Sequence, residues 1–285
     1  MDGIDKKLAS LILKISGISN TISSELPYRR GKANTKNVFG EVQLVVDKWA
    51  DQFLIDELKK SGLVKTVASE EQPELVQLND DGIFNVTMDP LDGSSNIETN
   101  NIVGTIIGIY KEDLPSPGKN QIASMYFLYG PVSTLVYTAK NGAHEFLKTK
   151  EGFVLRGENI KLPEPGKLYG FGGLRKDWLP AFTKYVEELE MRGYKLRYGG
   201  SFVGDTNQIL HYGGIFAYPA LNTNPNGKLR LLFESNPMSL IIEQAGGAST
   251  TGRGSILEVE TDDIDKRVPT YIGNKHLIEK LEGML

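Results

Sequence analysis

The spacing of apolar residues changes along this chain of 285 residues, and that change restricts the folds open to it. Residues 4–18 and 42–58 place apolar side chains three or four positions apart, which predicts two helices, the second ending near Gly62. From Ile83 the apolar residues form short runs typical of strands, predicted over residues 83–88, 102–110, 122–129 and 134–139. Helices followed by strands favour an α/β (α+β) fold with a mixed or antiparallel sheet packed on helices.

The middle of the chain contains residues that predict turns. Asn141–Gly142 predicts a type I′ hairpin, and residues 150–152 predict a second turn. The sequence Pro163-Glu164-Pro165-Gly166 is the best candidate for a domain boundary, which would divide the chain into residues 1–165 and 166–285. The polar and basic stretch 28–40 is predicted to be a mobile loop.

The second half alternates between the two patterns, so we expect alternating layers of helix and sheet. Strands are predicted over residues 168–171, 213–218 and 228–233, and a helix over 179–191. A further helix is predicted with Asn236 as its N-cap, Pro237 in the first helical position and Gly246 as the stop.

Composition excludes several classes of site. The chain has no cysteine, which rules out disulfides, thiolate metal sites and a cysteine nucleophile. With only three histidines, any metal must be held by oxygen ligands, which suits Mg²⁺, Mn²⁺ or Ca²⁺. A net charge of −4 argues against nucleic-acid binding. No apolar run is long enough for a membrane span and the first residues lack a signal-peptide pattern, so we expect a cytoplasmic protein.

Acidic residues follow three segments that we interpret as strands: the apolar run 63–67 and the predicted strands 83–88 and 228–233. The acidic residues are Glu70-Glu71, the string Asp89-Pro90-Leu91-Asp92-Gly93-Ser94-Ser95-Asn96, and Glu234. Ligands bind where strands end in sheets flanked by helices. Pro90 makes its turn rigid and holds Asp89 and Asp92 close together, and a divalent cation relieves the repulsion between two such carboxylates. The backbone carbonyl of Leu91 is a plausible extra ligand.

The end of the same string can bind an anion. Gly93 permits close approach of the backbone, and the amides that follow it can point at a phosphate. A metal cluster beside an anion cradle is the arrangement that phosphoryl transfer needs. Arg197, Lys228 and Arg230 supply cations that could reverse the negative field locally.

The string 89–96 resembles the signature of the fructose-1,6-bisphosphatase family, within the lithium-sensitive metal-dependent phosphatases. Residues 69–71, 213–220, 226–231, 234–238 and 243–247 are similar to further motifs of that family in the same order. The resemblance implies a layered α-β-α-β-α sugar-phosphatase fold with mixed and antiparallel sheets. It also implies Mg²⁺-dependent hydrolysis of the 1-phosphate of a sugar bisphosphate by metal-activated water, with two or three ions per site and Mn²⁺ as a possible substitute.

The resemblance also implies a role for individual residues. The metal ligands would be Glu70, Asp89, Asp92, Glu234 and the Leu91 carbonyl, completed by Glu41 from a moving loop. Glu71 and Asp47 would activate the water, with Asp92 as the third residue of the catalytic set. The amides of Gly93, Ser94 and Ser95 would hold the leaving phosphate, and Tyr198, Tyr218 and Lys228 the distal one. Arg197 would reach into a neighbouring subunit, which implies a homodimer or homotetramer.

The sequence departs from the family pattern in places and leaves the substrate open. Residues 168–175 replace the family's Asn-Glu-Gly-Tyr stretch near the distal phosphate. Some segments, such as 39–44 and 69–75, look closer to sedoheptulose-1,7-bisphosphatase, whereas 96–97 and 236–238 look like the fructose enzyme, so both substrates remain candidates. An inositol-monophosphatase-like hydrolase and a non-catalytic sugar-phosphate sensor are the alternatives. Inhibition by AMP through the family's site is not expected, because Ile83-Phe84 occupy the position of its Lys-Tyr pair.

Overall fold

The computed structural model describes residues 3–29, 31–36 and 42–285, and the side chains of residues 5–29, 31 and 44–285. The described residues form six α-helices: α1 (Gly3–Glu25), α2 (Val45–Lys60), α3 (Pro180–Met191), α4 (Phe202–Tyr212), α5 (Asn236–Gln244) and α6 (Lys275–Glu282). None of these helices combines the length and the apolar character that a membrane crossing requires.

The same residues form fifteen strands. These are β1 (Lys32–Lys36), β2 (Val42–Leu44), β3 (Val64–Ser69), β4 (Val76–Gln77), β5 (Phe84–Asp92), β6 (Val103–Tyr110), β7 (Gln121–Tyr129), β8 (Thr134–Thr138), β9 (Ala143–Thr149), β10 (Gly152–Ile160), β11 (Leu168–Phe171), β12 (Lys195–Leu196), β13 (Gly214–Tyr218), β14 (Ala248–Thr250) and β15 (Thr270–Gly273). They build an eight-stranded sheet in the order β10-β9-β8-β7-β6-β5-β3-β4, a five-stranded sheet in the order β12-β11-β13-β15-β14, and the pair β1-β2.

Both large sheets are mixed. In the eight-stranded sheet β3 and β5 run parallel, and the other neighbouring strands are antiparallel. In the five-stranded sheet β11 runs parallel to both β12 and β13, whereas β13, β15 and β14 pair in antiparallel fashion. Because β3 and β5 are parallel, the residues that follow them emerge at one edge of the sheet.

Alternation along the strands separates three apolar cores. On β6, Ile107 packs with α1 and α2, while its neighbour Ile106 faces the middle core with α4 and α5. On β13, Phe216 faces that middle core, and Ile215 packs with α3 and α6 on the other side. The order helix, sheet, helix, sheet, helix follows from this period-two burial. The expected layered α-β-α-β-α fold is therefore confirmed.

Most of the predicted elements are present within a few residues of the expected bounds. Helices α1, α2 and α3 and strands β5, β6, β7, β8, β11 and β13 correspond to predicted segments. The two predicted turns join β8 to β9 and β9 to β10. In the first of them, positive φ falls on Lys140 and Gly142 rather than on Asn141, so the predicted type I′ geometry is wrong.

Three other predictions are wrong. Residues 32–36 form β1, which pairs with β2, inside the stretch expected to be a mobile loop. Residues 231–235 wind as a π-helical turn that leads into α5 and not as the end of a strand. Asn236 is consequently helical itself, with φ −61°, instead of serving as the N-cap. The turn forms because the Arg230 N–H binds the Glu234 carboxylate at 2.7 Å and the Ser235 N–H reaches the Arg230 carbonyl at 3.1 Å.

Candidate active site

Carboxylates from distant parts of the chain meet at the edge where β3 and β5 end. Asp89 and Asp92 lie in the last four residues of β5, and the register of β5 against β6 shifts between them. Glu70 follows β3, and its N–H donates to the Met88 carbonyl of β5 at 3.1 Å. The π-helical turn before α5 brings Glu234 to the same place, because that turn packs against β5.

Asp89, Asp92 and Glu234 form the tightest group of ligand atoms. One carboxylate oxygen from each lies within 4.8 Å of the other two, and each residue is less than a tenth exposed. Burial raises the pKa of all three, and for Asp89 the charges of Glu70, Asp92 and Glu234 raise the pKa further. Hard oxygen donors crowded together in this way suit a divalent cation, which would offset their repulsion.

Helix α4 holds Asp92 in place. The amides of Phe202 and Val203, in the first turn of the helix, donate to the two carboxylate oxygens of Asp92 at 3.0 and 2.8 Å. The N-terminal end of a helix stabilises negative charge, so it supports the ionised form of this buried group. Helix α4 was not among the predicted helices, although Ser201 as N-cap and Gly213 after the last turn are signals for it in the sequence.

Arg230 places a buried positive charge among the acids. Its side chain is 2% exposed; Nη1 binds Glu70 Oε1 and Nε donates to Asp265 Oδ1 at 2.6 Å. Its backbone N–H also holds Glu234. Arg230 was predicted only as a source of positive charge, and nothing local in the sequence indicates that it lies between Glu70 and Asp265. A contact between residues 70 and 230 requires the tertiary fold.

Asp47 faces the acidic cluster from the first turn of α2. Its Oδ2 accepts the Leu44 N–H at 2.8 Å, and Ser94 lies nearby. Burial raises its pKa from 3.8 to about 6, although Leu44 and Ser94 lower it. A carboxylate with a pKa close to neutral pH can accept a proton and release it again. Glu71, half-buried, lies in the turn after β3.

The turn after β5 depends on Gly93. Its φ of 72° lies in the left-handed region, and a Cβ at this position would come 2.4 Å from the Cβ of Ser201. The following residues, Ser94–Ile97, form one turn of 3₁₀ helix. A residue without a side chain therefore lets the turn pack directly against the start of α4.

A second group of side chains lies beside the acidic cluster. The hydroxyls of Tyr198 and Tyr218 are 2.7 Å apart, and Lys228 Nζ lies 5.1 Å from the centre of the Tyr218 ring. The charge of Lys228 lowers the pKa of Asp92, against the larger effect of burial. In the segment that departs from the family pattern, Gly172 lies against the Tyr218 ring, where a Cβ would come within 2.1 Å of it.

One cavity of about 250 Å³ contains most of the residues predicted to form the site. It is lined by Asp47, Glu70, Glu71, Asp89, Leu91, Asp92, Gly93, Ser94, Ser95, Tyr218, Lys228 and Glu234. The other lining residues were not among the predicted site residues; they are Gly200, Phe202, Leu229, Arg230 and Arg267. Arg197 and Tyr198 are not among the lining residues, and both are exposed. Glu41 lies outside the described residues.

Two family models cover nearly the whole chain. The model described as the N-terminal domain of fructose-1-6-bisphosphatase matches residues 3–157, and the model of its C-terminal domain matches residues 162–285. The chain belongs to the fructose-1,6-bisphosphatase family. The family expected from the string 89–96 is thereby confirmed.

Named relatives and solved structures agree with this membership. The class 1 fructose-1,6-bisphosphatase of Geobacter sulfurreducens is 46% identical over 276 residues, covering 95% of this chain and 88% of the relative. That of Methanocorpusculum labreanum is 42% identical over 278 residues, covering 97% and 87%. The holo form of Leishmania major fructose-1,6-bisphosphatase superposes with a TM-score of 0.92 at 28% identity, covering 98% of this chain and 94% of that one.

Proposed function

We propose that this protein hydrolyses the 1-phosphate of fructose 1,6-bisphosphate in a reaction that depends on Mg²⁺. The observation that carries the proposal is the group formed by Asp89, Asp92 and Glu234, which lies in the same cavity as Lys228 and Tyr218. A metal site alone would suit many phosphatases, whereas a cation and a phenol beside it provide partners for a second phosphate. The names of the relatives favour fructose 1,6-bisphosphate as the substrate.

The proposed metal ligands are Asp89, Asp92 and Glu234, together with Glu70, the Leu91 carbonyl and Glu41, for two or three Mg²⁺ ions. Mn²⁺ could replace Mg²⁺ because both ions accept hard oxygen donors. The donor set fits such ions because the carboxylates are buried and crowded; burial is the main cause of their raised pKa values, and the repulsion that raises them further is one that a cation would offset. When bound, the ions would supply charge neutralisation at the phosphoryl oxygens and a more acidic water.

Asp47 and Glu71 are the proposed proton acceptors for the attacking water. Asp47 is oriented by the Leu44 N–H, which binds its Oδ2, so the electron pairs of its other oxygen have a defined direction. The amides of Gly93, Ser94 and Ser95 would receive the released phosphate, since all three residues line the cavity. Glu71→Gln and Asp92→Asn should each lower kcat at least about 100-fold while the fold persists.

The distal phosphate would be bound by Lys228, Tyr218 and Tyr198. The hydrogen bond between the two phenols leaves one hydroxyl proton to donate to a phosphate oxygen. Arg197 is exposed next to the short edge strand β12, and we propose that it completes the site of a neighbouring subunit in a homodimer or homotetramer. Residues 1–165 would then supply most of the metal site, and residues 166–285 the distal phosphate site and Glu234.

The test is a comparison of phosphate release from fructose 1,6-bisphosphate, sedoheptulose 1,7-bisphosphate and inositol 1-phosphate, each with Mg²⁺ and with EDTA. We expect Mg²⁺-dependent release from the first substrate, loss of that release in Asp89→Asn, and normal release in the surface control Asp56→Asn. Faster turnover of sedoheptulose 1,7-bisphosphate would change the substrate assignment. Faster turnover of the monophosphate, or no release from any substrate, would contradict the proposal.

A further inference from the structure

Helix α2 carries a second buried carboxylate one turn after Asp47. Asp51 is 3% exposed and does not line the cavity. Burial raises its pKa, and two hydrogen bonds lower it. Burying a carboxylate costs free energy that an apolar residue in the same position would avoid. The groups that bind this charge therefore indicate its role.

Both oxygens of Asp51 bind the turn that follows β3. Ser69 Oγ donates to Oδ1 at 2.6 Å, and Gln72 Nε2 donates to Oδ2 at 2.5 Å. The two donors flank Glu70 and Glu71 in the sequence. One carboxylate thus holds both ends of a four-residue turn whose two central residues line the cavity.

The contact with Ser69 continues to Glu71. Because the Ser69 hydroxyl donates its proton to Asp51, its oxygen can accept, and the Glu71 N–H donates to it at 3.3 Å. The turn is closed by the Gln72 N–H, which donates to the Ser69 carbonyl at 3.1 Å. Asp51 therefore orients the backbone of Glu71 through a single intermediate side chain.

Arg230 contacts the other side of the turn. Its guanidinium contacts Glu70, so the Glu70 carboxylate is attracted toward the π-helical turn before α5. The hydrogen bonds to Asp51 act at Ser69 and Gln72 and keep the backbone of the turn on α2. Glu70 and Glu71 can then face the cavity from a fixed backbone.

We propose that Asp51 is a positioning residue that holds the Ser69–Gln72 turn, so that Glu70 and Glu71 are placed for metal binding and for proton transfer. The inference rests on the proposed function for the roles of Glu70 and Glu71, but not for the geometry of the turn. Displacement of catalytic groups by about 1 Å can cost about 100-fold in rate. Loss of groups that orient metal ligands costs about 10-fold to 100-fold in metal affinity.

Asp51→Asn tests the contact with Gln72 selectively. The new amide can still accept a hydrogen bond from Ser69 through its oxygen, but its NH₂ group then faces the NH₂ group of Gln72, and the two can bond only if the Gln72 amide turns over. Even then, the negative charge that strengthens both present hydrogen bonds is lost. We expect kcat to fall at least 10-fold with KM changed less than threefold, because Lys228 and Tyr218 do not touch Asp51. The affinity for Mn²⁺, titrated calorimetrically without substrate, should fall about 10-fold.

A polarity swap separates positioning from general destabilisation. Gln72→Glu alone places two carboxylates against each other and should also lower kcat. In the double variant Asp51→Asn, Gln72→Glu, an amide again faces a carboxylate, so kcat and Mn²⁺ affinity should recover to within about threefold of the unaltered protein. Deuterium exchange of the amides in residues 69–72 should rise in each single variant and return to normal in the double variant. Asp56→Asn, on the exposed face of α2, is the matched control.

Every result of these measurements either supports or overturns the positioning role of Asp51. The positioning role would be overturned if amide exchange, Mn²⁺ affinity and kcat in Asp51→Asn all stay within twofold of the unaltered protein. Losses that the double variant fails to restore would also overturn it. If Asp51→Asn does not fold, Ser69→Ala can be measured instead. This variant removes the hydrogen bond from Ser69 to Asp51, and it should show the same faster exchange of the amides in residues 69–72 and the same lower kcat. If the unaltered protein releases no phosphate from a sugar bisphosphate, the proposed function fails, while exchange and Mn²⁺ titration still test the placement of the turn.

Discussion

Asp205 holds the Gly199–Gly200 turn through both of its carboxylate oxygens. The Gly199 N–H donates at 2.6 Å and the Gly200 N–H at 3.2 Å, while Asn96 Nδ2 donates to the Gly199 carbonyl at 2.9 Å. This turn connects Tyr198 with Ser201, the N-cap of α4. A side chain outside the predicted set thus joins the distal phosphate site to the helix that holds Asp92.

Burial raises the pKa of Asp205 from 3.8 to about 7, although its hydrogen bonds with Gly199 and Gly200 lower it. Between those two pH values the folded protein binds more protons at this site than the unfolded chain, so the contribution of Asp205 to stability falls as the pH rises through that window. From pH 4 to pH 8 in EDTA, the unaltered protein should therefore lose more free energy of unfolding than Asp205→Asn. Urea unfolding measures this difference. Parallel pH profiles for the two proteins would contradict this expectation.

At the scale of elements, the acidic site is assembled where four elements begin or end. The ends of β3 and β5 provide Glu70, Asp89 and Asp92, the first turn of α4 holds Asp92, and the π-helical turn before α5 provides Glu234. Each is a point where backbone hydrogen bonding is incomplete or irregular, and such points are free to turn side chains toward a ligand. The contact between Gly93 and Ser201 determines how closely two of these elements approach.

Gly93→Ala should separate the turn after β5 from α4. The new Cβ would meet Ser201 at 2.4 Å, in addition to the cost of about 1–2 kcal/mol for a side chain in left-handed backbone. Gly62→Ala is the matched control, because Gly62 has a similar φ of 66° and no heavy atom within 4 Å of its Cβ position. We expect kcat to fall at least 10-fold in Gly93→Ala only, with a larger loss of unfolding free energy than in the control. Equal losses in the two variants with normal kcat would show that the contact is unimportant.

On the scale of the whole molecule, five layers bring together residues far apart in the chain. Asp47 comes from the first helical layer, Asp89 and Asp92 from the eight-stranded sheet, and Lys228 and Glu234 from the second half. Arg230 bridges the halves through Glu70. Since the acids repel one another when the chain folds around them, we expect the folded protein to bind a cation at this site more tightly than the unfolded chain can.

Mg²⁺ should raise the melting temperature for that reason. At a free concentration 100 times its Kd, a ligand that binds only the folded state adds about 2.7 kcal/mol, which corresponds to about 4–5 °C for a chain of this size. Calorimetry with Mg²⁺ and with NaCl of equal ionic strength measures the specific part of the shift. The shift should shrink in Glu234→Gln and persist in Asp56→Asn. An equal shift in NaCl would instead indicate screening of surface charges.

Several elements could be predicted because their signals are local. The helical spacing in α1 and α2 and the apolar runs of β5 and β6 reflect which face of each segment is buried, and that pattern is written within 10 to 20 residues. Helix α4 escaped prediction because Gly204, Thr206 and Asn207 are poor helix formers, and packing against both sheets outweighs that preference. The π-helical turn escaped because it depends on the bond between Arg230 and Glu234.

The sequence by itself determined the chemistry of the site. The absence of cysteine and the acids at strand ends predicted that any metal would be held by oxygen ligands. The string 89–96 indicated the family. Only the tertiary structure decided which further groups hold those acids: the amides of α4 on Asp92, Arg230 on Glu70, and Asp51 under the Ser69–Gln72 turn. The reason is that these contacts join residues 18 to 160 positions apart, and their strength comes from burial in a folded interior rather than from any local preference.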